Sequence, residues 1–322
     1  MTMQESRCLY CYQILEEGLH DFHPRCSKKI FGRTEVPILP FSESQMFDLA
    51  LQVVQSSISV TGVQPKISLD IELTKKPSQS KRFTIVGLWG AYILKPPTKN
   101  YLHLPEVEDT TMHLATISKI KTVPHSLIRL QDGSLAYITK RIDRHNSEKI
   151  HMEDFCQITE RLTEHKYDGS YEQIAKAILQ FSIHPVLDVI NFYEQVLFSF
   201  LTGNADMHLK NFSLIKNAKP GYTLAPAYDM VASALVNPID KEDLALTLNG
   251  KKRKVKQSDF VEAFKRAHLN EKVIAAMFNK LEKSYFKWRK YIDISFLPQE
   301  MKENYKELIN KKFSQIGMVN NQ

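Results

Sequence analysis

Strand and helix signals divide unevenly along this chain, and that asymmetry limits the folds open to it. Short apolar runs of strand type cluster before residue 142, at 67–71, 83–86, 92–95, 125–130 and 135–140. The last two flank Gln131, Asp132, Gly133 and Ser134 and predict a hairpin. After Glu153 the apolar spacing turns helical, over 153–163, 171–182, 186–202, 257–268, 271–292 and 298–315. With 322 residues the chain can bury a large core. A β-rich part followed by an α-rich part predicts an α+β fold of two lobes with a cleft between them. The expected divisions are 1–35, a Cys/His cap; 36–142, a β-rich lobe; and 143–322, a helical lobe.

Composition removes several classes. Apolar content of 43% and charged content of 25% are those of a globular protein. No run of 18 apolar residues is present, so no membrane partner is expected. The first residues form no apolar leader, and a cytoplasmic location is expected. Four cysteines do not make a disulfide framework. The net charge of +7 permits nucleic-acid contact without establishing it, and no direct nucleic-acid binding is expected. Much of the excess lies at 251–256, where five of six residues are Lys or Arg. Such a run is a solvated loop or a contact surface.

Residues 7–33 stand apart. Cys8-x-x-Cys11 is followed by His23-x-x-Cys26, a spacing that suits tetrahedral Zn²⁺ in a segment with little core of its own. The other reading is reduced cysteines packed under a short helix with His23 at the surface. Residues 34–42, with two prolines, read as a linker.

The chemistry concentrates in Gly203-Asn204-Ala205-Asp206-Met207-His208-Leu209-Lys210-Asn211 and in Ala227-Tyr228-Asp229. Phe198, Phe200 and Leu201 precede the loop as a helix end; Phe212, Leu214 and Ile215 follow it as a strand. A polar loop pinned between apolar elements can hold reacting groups rigidly. Phosphoryl transfer needs one carboxylate to orient a hydroxyl, with an amide and a second carboxylate to hold Mg²⁺. Asp206, Asn211 and Asp229 have that arrangement, although Asp and Asn are also ordinary turn residues. Upstream, Lys95 ends an apolar strand before two prolines and is expected at the rim of a sheet. Glu108, or alternatively Glu106, opens a helix after it. A strand Lys and a helix Glu form the pair that fixes nucleotide phosphates in kinases. Residues 56–66 make a hydroxyl-rich turn in which Gly62 lets the backbone approach a phosphate, or else a plain hairpin turn.

The wording of these pieces resembles the HipA family of bacterial toxin kinases. The resemblance rests on Ser59-Val60-Thr61-Gly62-Val63-Gln64-Pro65-Lys66, Ile93-Leu94-Lys95, Glu108, Lys140-Arg141-Ile142-Asp143-Arg144, Glu153-Asp154-Phe155, the 203–211 loop and Tyr228-Asp229. It implies a two-lobed protein-kinase-like, HipA-like fold that binds ATP and Mg²⁺ and phosphorylates serine or threonine in proteins. Asp206 would be the catalytic base, with Asn211 and Asp229 on Mg²⁺. Lys95, oriented by Glu108, would bind phosphates, and Thr61, Gly62, Val63, Gln64, Pro65 and Lys66 would form the phosphate loop. His208, Lys210 and Tyr228 would border the nucleotide, with Lys210 offsetting transition-state charge. The backbone of Lys140, Arg141 and Ile142 would meet adenine. Ser57 and Ser59 would be autophosphorylated.

The resemblance also implies partners. About fifty residues precede the phosphate loop, where full-length relatives carry a β-rich domain of roughly a hundred. The expectation is therefore the short, HipT-type form, served by a small HipS-like protein in place of that domain. A HipB-like DNA-binding antitoxin and a protein substrate, an aminoacyl-tRNA synthetase by analogy, complete the set. A small-molecule kinase of the same fold and a non-catalytic part of a DNA-binding repressor complex are the alternatives.

Overall fold

The computed structural model of the chain describes residues 6–46, 48–49, 66–72, 81–86, 90–145, 148–216 and 220–318. Ser57, Ser59, Thr61, Gly62, Val63, Gln64 and Pro65 lie outside the described residues. Two compact units form, one from residues 1–109, 123–149 and 294–296, the other from 110–122, 150–293 and 297–322.

The first unit is built on a five-stranded antiparallel sheet in the order β2-β1-β3-β5-β4. Its strands are β1 (Ile67–Ile71), β2 (Phe83–Ile85), β3 (Tyr92–Lys95), β4 (His125–Arg129) and β5 (Leu135–Lys140). The β4–β5 hairpin pairs Ile128 with Ala136, and Gly133 takes a positive φ of 91° in its turn. One face of the sheet is apolar and buried, carrying Ile67, Leu69, Phe83, Tyr92 and Leu94. Helix α1 (Pro24–Phe31) begins with proline at its first position, where no amide hydrogen is needed. Its Phe31 ring packs edge-on at 5.7 Å from Phe83, which lies 5.6 Å from Tyr92. Lys95 ends the central strand and is almost fully buried, instead of sitting at a rim. Helix α2 (Leu104–Ile117) follows and contributes its residues through Asp109 to this unit.

The second unit is organised around one helix. Of the named helices here, α3 (Phe155–Ile158), α4 (Tyr171–Phe181), α5 (Pro185–Leu201) and α6 (Ser233–Val236) come first. Helices α7 (Gln257–Arg266), α8 (Glu271–Glu282), α9 (Tyr285–Asp293) and α10 (Gln299–Gln315) complete it. Helix α5 exposes Val186, Leu187 and Asn191 in its first turns and is enclosed from Phe192 onward, where it is mostly apolar. Phe192, Tyr193, Val196, Leu197, Phe198, Phe200 and Leu201 are all fully buried. Phe198 packs edge-on against Trp288 at 5.3 Å, and Phe200 against Phe260 at 5.3 Å. Each such ring contributes about 1.5–3 kcal/mol by burial.

A short ribbon pairs β6 (Arg144–His145) with β7 (Glu148–Lys149), and a three-stranded sheet runs in the order β10-β9-β8, with β8 (Met152–Asp154), β9 (Ser213–Lys216) and β10 (Tyr222–Leu224). The helix expected over 153–163 is one turn, because Asp154 is still paired in β8 and Glu160 takes a positive φ of 54°. The helix expected over 271–292 is two, broken at Lys283 and Ser284. The Ser284 hydroxyl donates to Lys280 O there, competing with the regular ladder. The new direction brings Trp288 to full burial, where its ring nitrogen donates to Ser118 Oγ at 2.9 Å.

Candidate active site

Lys95 and Glu108 meet inside the first unit. Register places Lys95 opposite Tyr137 on β5, and its ammonium lies 5.3 Å from the Tyr137 ring centroid. Its Nζ donates to Glu108 Oε1 at 2.5 Å, with the two side chains 5% and 2% exposed. Glu106 instead contacts His103 at 3.2 Å, so the helix carboxylate that faces the strand lysine is Glu108. Burial pushes the Glu106 carboxyl above its ordinary value despite that histidine.

The connecting segment carries part of its own hydrogen bonding. Lys140 N–H donates to Pro124 O at 2.9 Å and Arg141 N–H to Ala91 O at 2.8 Å. Of the three residues expected to meet adenine, Ile142 has the amide outside this strand pairing. Arg141 grips Asp143 through two bonds of 2.9 and 2.7 Å, and Arg144 adds a third at 2.6 Å. Burial alone would raise the Asp143 carboxyl, but the Arg141 bonds and the two positive charges outweigh it and hold it below the usual range. Lys66 is exposed at the entry to β1, and Lys140 is exposed at the end of β5.

The 203–211 loop is built on the end of α5. Asn204 N–H reaches back to Ser199 O at 2.8 Å and Gly203 N–H to Phe200 O at 3.2 Å, a glycine-capped helix end. Gly203 has φ 70°, and a β-carbon there would fall 2.7 Å from Leu308 Cδ2. The buried Asn204 side chain accepts from Asp206 N–H at 3.1 Å, and Ser233 Oγ accepts from Ala205 N–H at 2.8 Å. A single 3-10 turn, Leu209–Asn211, closes the loop. Across it, Asn211 Nδ2 donates to Asp206 O at 2.9 Å. That bond fixes the amide and leaves Oδ1, a hard oxygen donor, as the atom suited to Mg²⁺.

Tyr228 joins this loop to the second carboxylate. Its hydroxyl donates to Lys210 O at 3.0 Å and contacts Ser213 Oγ at 2.5 Å. Burial drives the Tyr228 pKa well above its ordinary value, so the group stays a donor. Asp229 follows with φ 59°, a backbone state that Asp tolerates better than most residues. Lys210 is paired with Asp154 at 2.7 Å, a contact made possible by the Asp154–Ser213 register of β8 on β9. His208 is buried and packs edge-on against Tyr167 at 5.0 Å.

Two contacts at the site are not legible in the sequence, although Asp154 itself lies in a quoted motif. Tyr167 donates to Asp206 Oδ1 at 2.6 Å across 39 positions, and Asp154 reaches Lys210 across 56. Neither lies at a spacing that periodicity could reveal. The basic run at 251–256 folds back on the unit: Lys251 pairs with Asp259 at 2.8 Å and Lys252 donates to Tyr167 O at 3.2 Å.

The cap residues also converge. Cys8, Cys11, His23 and Cys26 offer ligand atoms that all lie within 4.8 Å of one another, and all four cysteines of the chain are free thiols.

The fold and the groups gathered on it define a kinase of the HipA class. The chain belongs to the HipA-like C-terminal domain family, which it matches over residues 58–288. A Haemophilus influenzae protein named as a kinase is 28% identical over 88% of this chain and 89% of its own length. The serine/threonine-protein kinase toxin HipA of Shewanella oneidensis is 24% identical, over 67% of this chain and 52% of its own. The fold is similar, with a TM-score of 0.66 and 18% identity, to a chain in the solved complex of Shewanella oneidensis HipA, HipB and operator DNA. That likeness covers 88% of this chain and 72% of the other. No described helix is long and apolar enough to cross a membrane.

Proposed function

We propose that this chain is an ATP-dependent serine/threonine protein kinase serving as the toxin of a toxin–antitoxin pair. The observation that carries the proposal is the hydrogen bonding of the second unit, where Asn211 holds the backbone of Asp206 and Tyr228 holds that of Lys210. Those bonds tie together the loop with Asp206 and Asn211 and the segment leading to Asp229. Asp206 accepts the proton of the attacking hydroxyl as the γ-phosphoryl group moves from ADP oxygen to hydroxyl oxygen. Asn211 Oδ1 and the Asp229 carboxylate are the hard donors for Mg²⁺, which would offset charge on the phosphates. Lys95, held by Glu108, binds the phosphates as a fixed positive charge. Lys210 is drawn from Asp154 toward the transferring group, where it stabilises negative charge. Residues 61–66 are the proposed phosphate loop, and Ile142 supplies a backbone donor to adenine.

Family kinship supports the wider role. The HipB protein in the related complex suggests a DNA-binding antitoxin as partner, and a small HipS-like protein is the companion expected of the HipT-type form. A translation enzyme of the aminoacyl-tRNA synthetase class is the proposed substrate. Ser57 and Ser59 are the proposed sites of self-modification; two phosphates there would add about −3 to −4 of charge beside ATP and expel it.

The test is incubation of the purified chain with ATP and Mg²⁺, with phosphate mapped by intact and peptide mass spectrometry beside Asp206→Gln. Phosphate on Ser57 or Ser59 is expected, and none in the variant. Equal phosphate in a folded Asp206→Gln chain would remove Asp206 from the reaction.

A further inference from the structure

We infer that Cys8, Cys11, His23 and Cys26 form a structural zinc site that fastens the N-terminal segment to the first unit. The four ligand atoms come from two pieces of backbone that meet only in the fold. Cys8 and Cys11 sit on a tight turn in which Cys8 N–H donates to Gln13 O at 2.9 Å and Tyr12 N–H to Cys8 O at 2.8 Å. His23 and Cys26 lie at the start of α1, where Cys26 N–H donates to His23 O at 2.9 Å.

The edges from His23 to Cys11 and Cys26 match those of a zinc tetrahedron, and all four ligand atoms lie within 4.8 Å of one another. Zn–S bonds of about 2.3 Å and a Zn–N bond of about 2.05 Å at tetrahedral angles give S···N edges of about 3.6 Å. His23 Nδ1 lies 3.5 Å from Cys11 Sγ and 3.8 Å from Cys26 Sγ.

The histidine is also oriented as a ligand. His23 Nε2 is 3.0 Å from Ile14 O. A carbonyl only accepts, so Nε2 carries the hydrogen and Nδ1 keeps its lone pair. That lone pair faces two thiols, of which only one could donate to it. A backbone carbonyl on the far ring nitrogen is the usual support of a metal-bound histidine. One Zn²⁺ with three thiolates and Nδ1 would satisfy every group, releasing the three thiol protons to solvent. Four protein ligands leave no open position, so the ion would be structural and not catalytic.

The knuckle bears on the rest of its unit. Leu9 O accepts from Ser126 Oγ at 3.1 Å and from Leu127 N–H at 3.3 Å, which binds the turn to β4. Tyr12, adjoining Cys11, donates to Asp109 Oδ2 at 2.7 Å. His125 holds the other oxygen of Asp109 at 2.6 Å. Asp109 follows Glu108 directly, so a metal-held knuckle buttresses the helix that carries Glu108.

The test is metal analysis of the full chain purified without chelator. One zinc per chain is expected, retained in Cys156→Ser and lost in Cys8→Ser and Cys26→Ser. Cobalt loaded in its place should show tetrahedral bands with thiolate charge transfer. Stripping with a chelator should lower the melting temperature by about 5 °C or more, restored by Zn²⁺ but not by Mg²⁺. This last measurement serves even if the cysteine variants do not fold. A reduced, folded chain that takes up neither metal and melts unchanged would overturn the inference. So would a native mass short of two hydrogens with no zinc, which would mean a disulfide. None of these readings depends on phosphoryl transfer.

Discussion

The Tyr167 hydroxyl donates to Asp206 Oδ1 at 2.6 Å, so one oxygen of the proposed catalytic carboxylate is held by a neighbouring phenol. Two-fifths of Tyr167 is exposed, yet its hydroxyl end is desolvated. That desolvation first, then the Asp206 charge and the bond itself, push the hydroxyl pKa far above its ordinary value. Tyr167 therefore remains a donor throughout the working pH range. Tyr167→Phe should reduce kcat about tenfold, from losing a bond to a charged group worth about 1.5 kcal/mol, with KM for ATP unchanged. Steady-state kinetics at saturating ATP check this; an unchanged kcat would show that Tyr167 does not orient Asp206.

The buried Lys95–Glu108 pair predicts a separation of stability from activity. Lys95→Met leaves the Glu108 carboxylate buried without its cation, costing about 3–5 kcal/mol. Lys95→Met with Glu108→Gln should recover much of that loss in urea unfolding while ATP binding stays weak. Recovery of ATP binding in the double variant would rule out Lys95 as the phosphate ligand.

Gly203→Ala should strain the loop twice. An L-residue at φ 70° costs about 1–2 kcal/mol, and the new methyl would press on Leu308 at 2.7 Å. A fall in melting temperature with a larger proportional fall in kcat is expected. A stable variant with native kinetics would show that the cap does not set the position of Asp206.

Acid sensitivity should trace in part to Asp243. Burial raises its carboxyl, but the Lys312 bond and charge, Val255 N–H and Gln315 outweigh that and hold it below the usual range. A depressed native pKa gives stability that is present above the unfolded value of about 3.9 and lost as pH falls through the native value. Unfolding free energy should therefore drop below about pH 4, and Asp243→Asn should flatten that slope. The same variant should cost about 3 kcal/mol at neutral pH, because Lys312 is buried. An unaltered slope below pH 4 in Asp243→Asn would remove this group from the acid response.

Much of the architecture is legible locally. Five strands of the first sheet and the helices at 171–181 and 185–201 follow from periodicity, since alternation and 3.6-residue spacing are properties of consecutive residues. The pairs Cys8/Cys11 and His23/Cys26, and the spacing of Asp206, Asn211 and Asp229, are likewise visible in the chain, because each set of side chains must come from short, rigid segments. What the sequence determined by itself was thus the order of elements and the chemical groups they carry. Tertiary structure alone decided the burial of the Lys95–Glu108 pair, the contacts of Tyr167 with Asp206 and of Asp154 with Lys210, and the break at Ser284 that seats Trp288. These contacts join residues whose separation has no period. They exist only because sheet register and the enclosure of α5 bring distant side chains within hydrogen-bonding distance, where burial penalises any charge left unpaired.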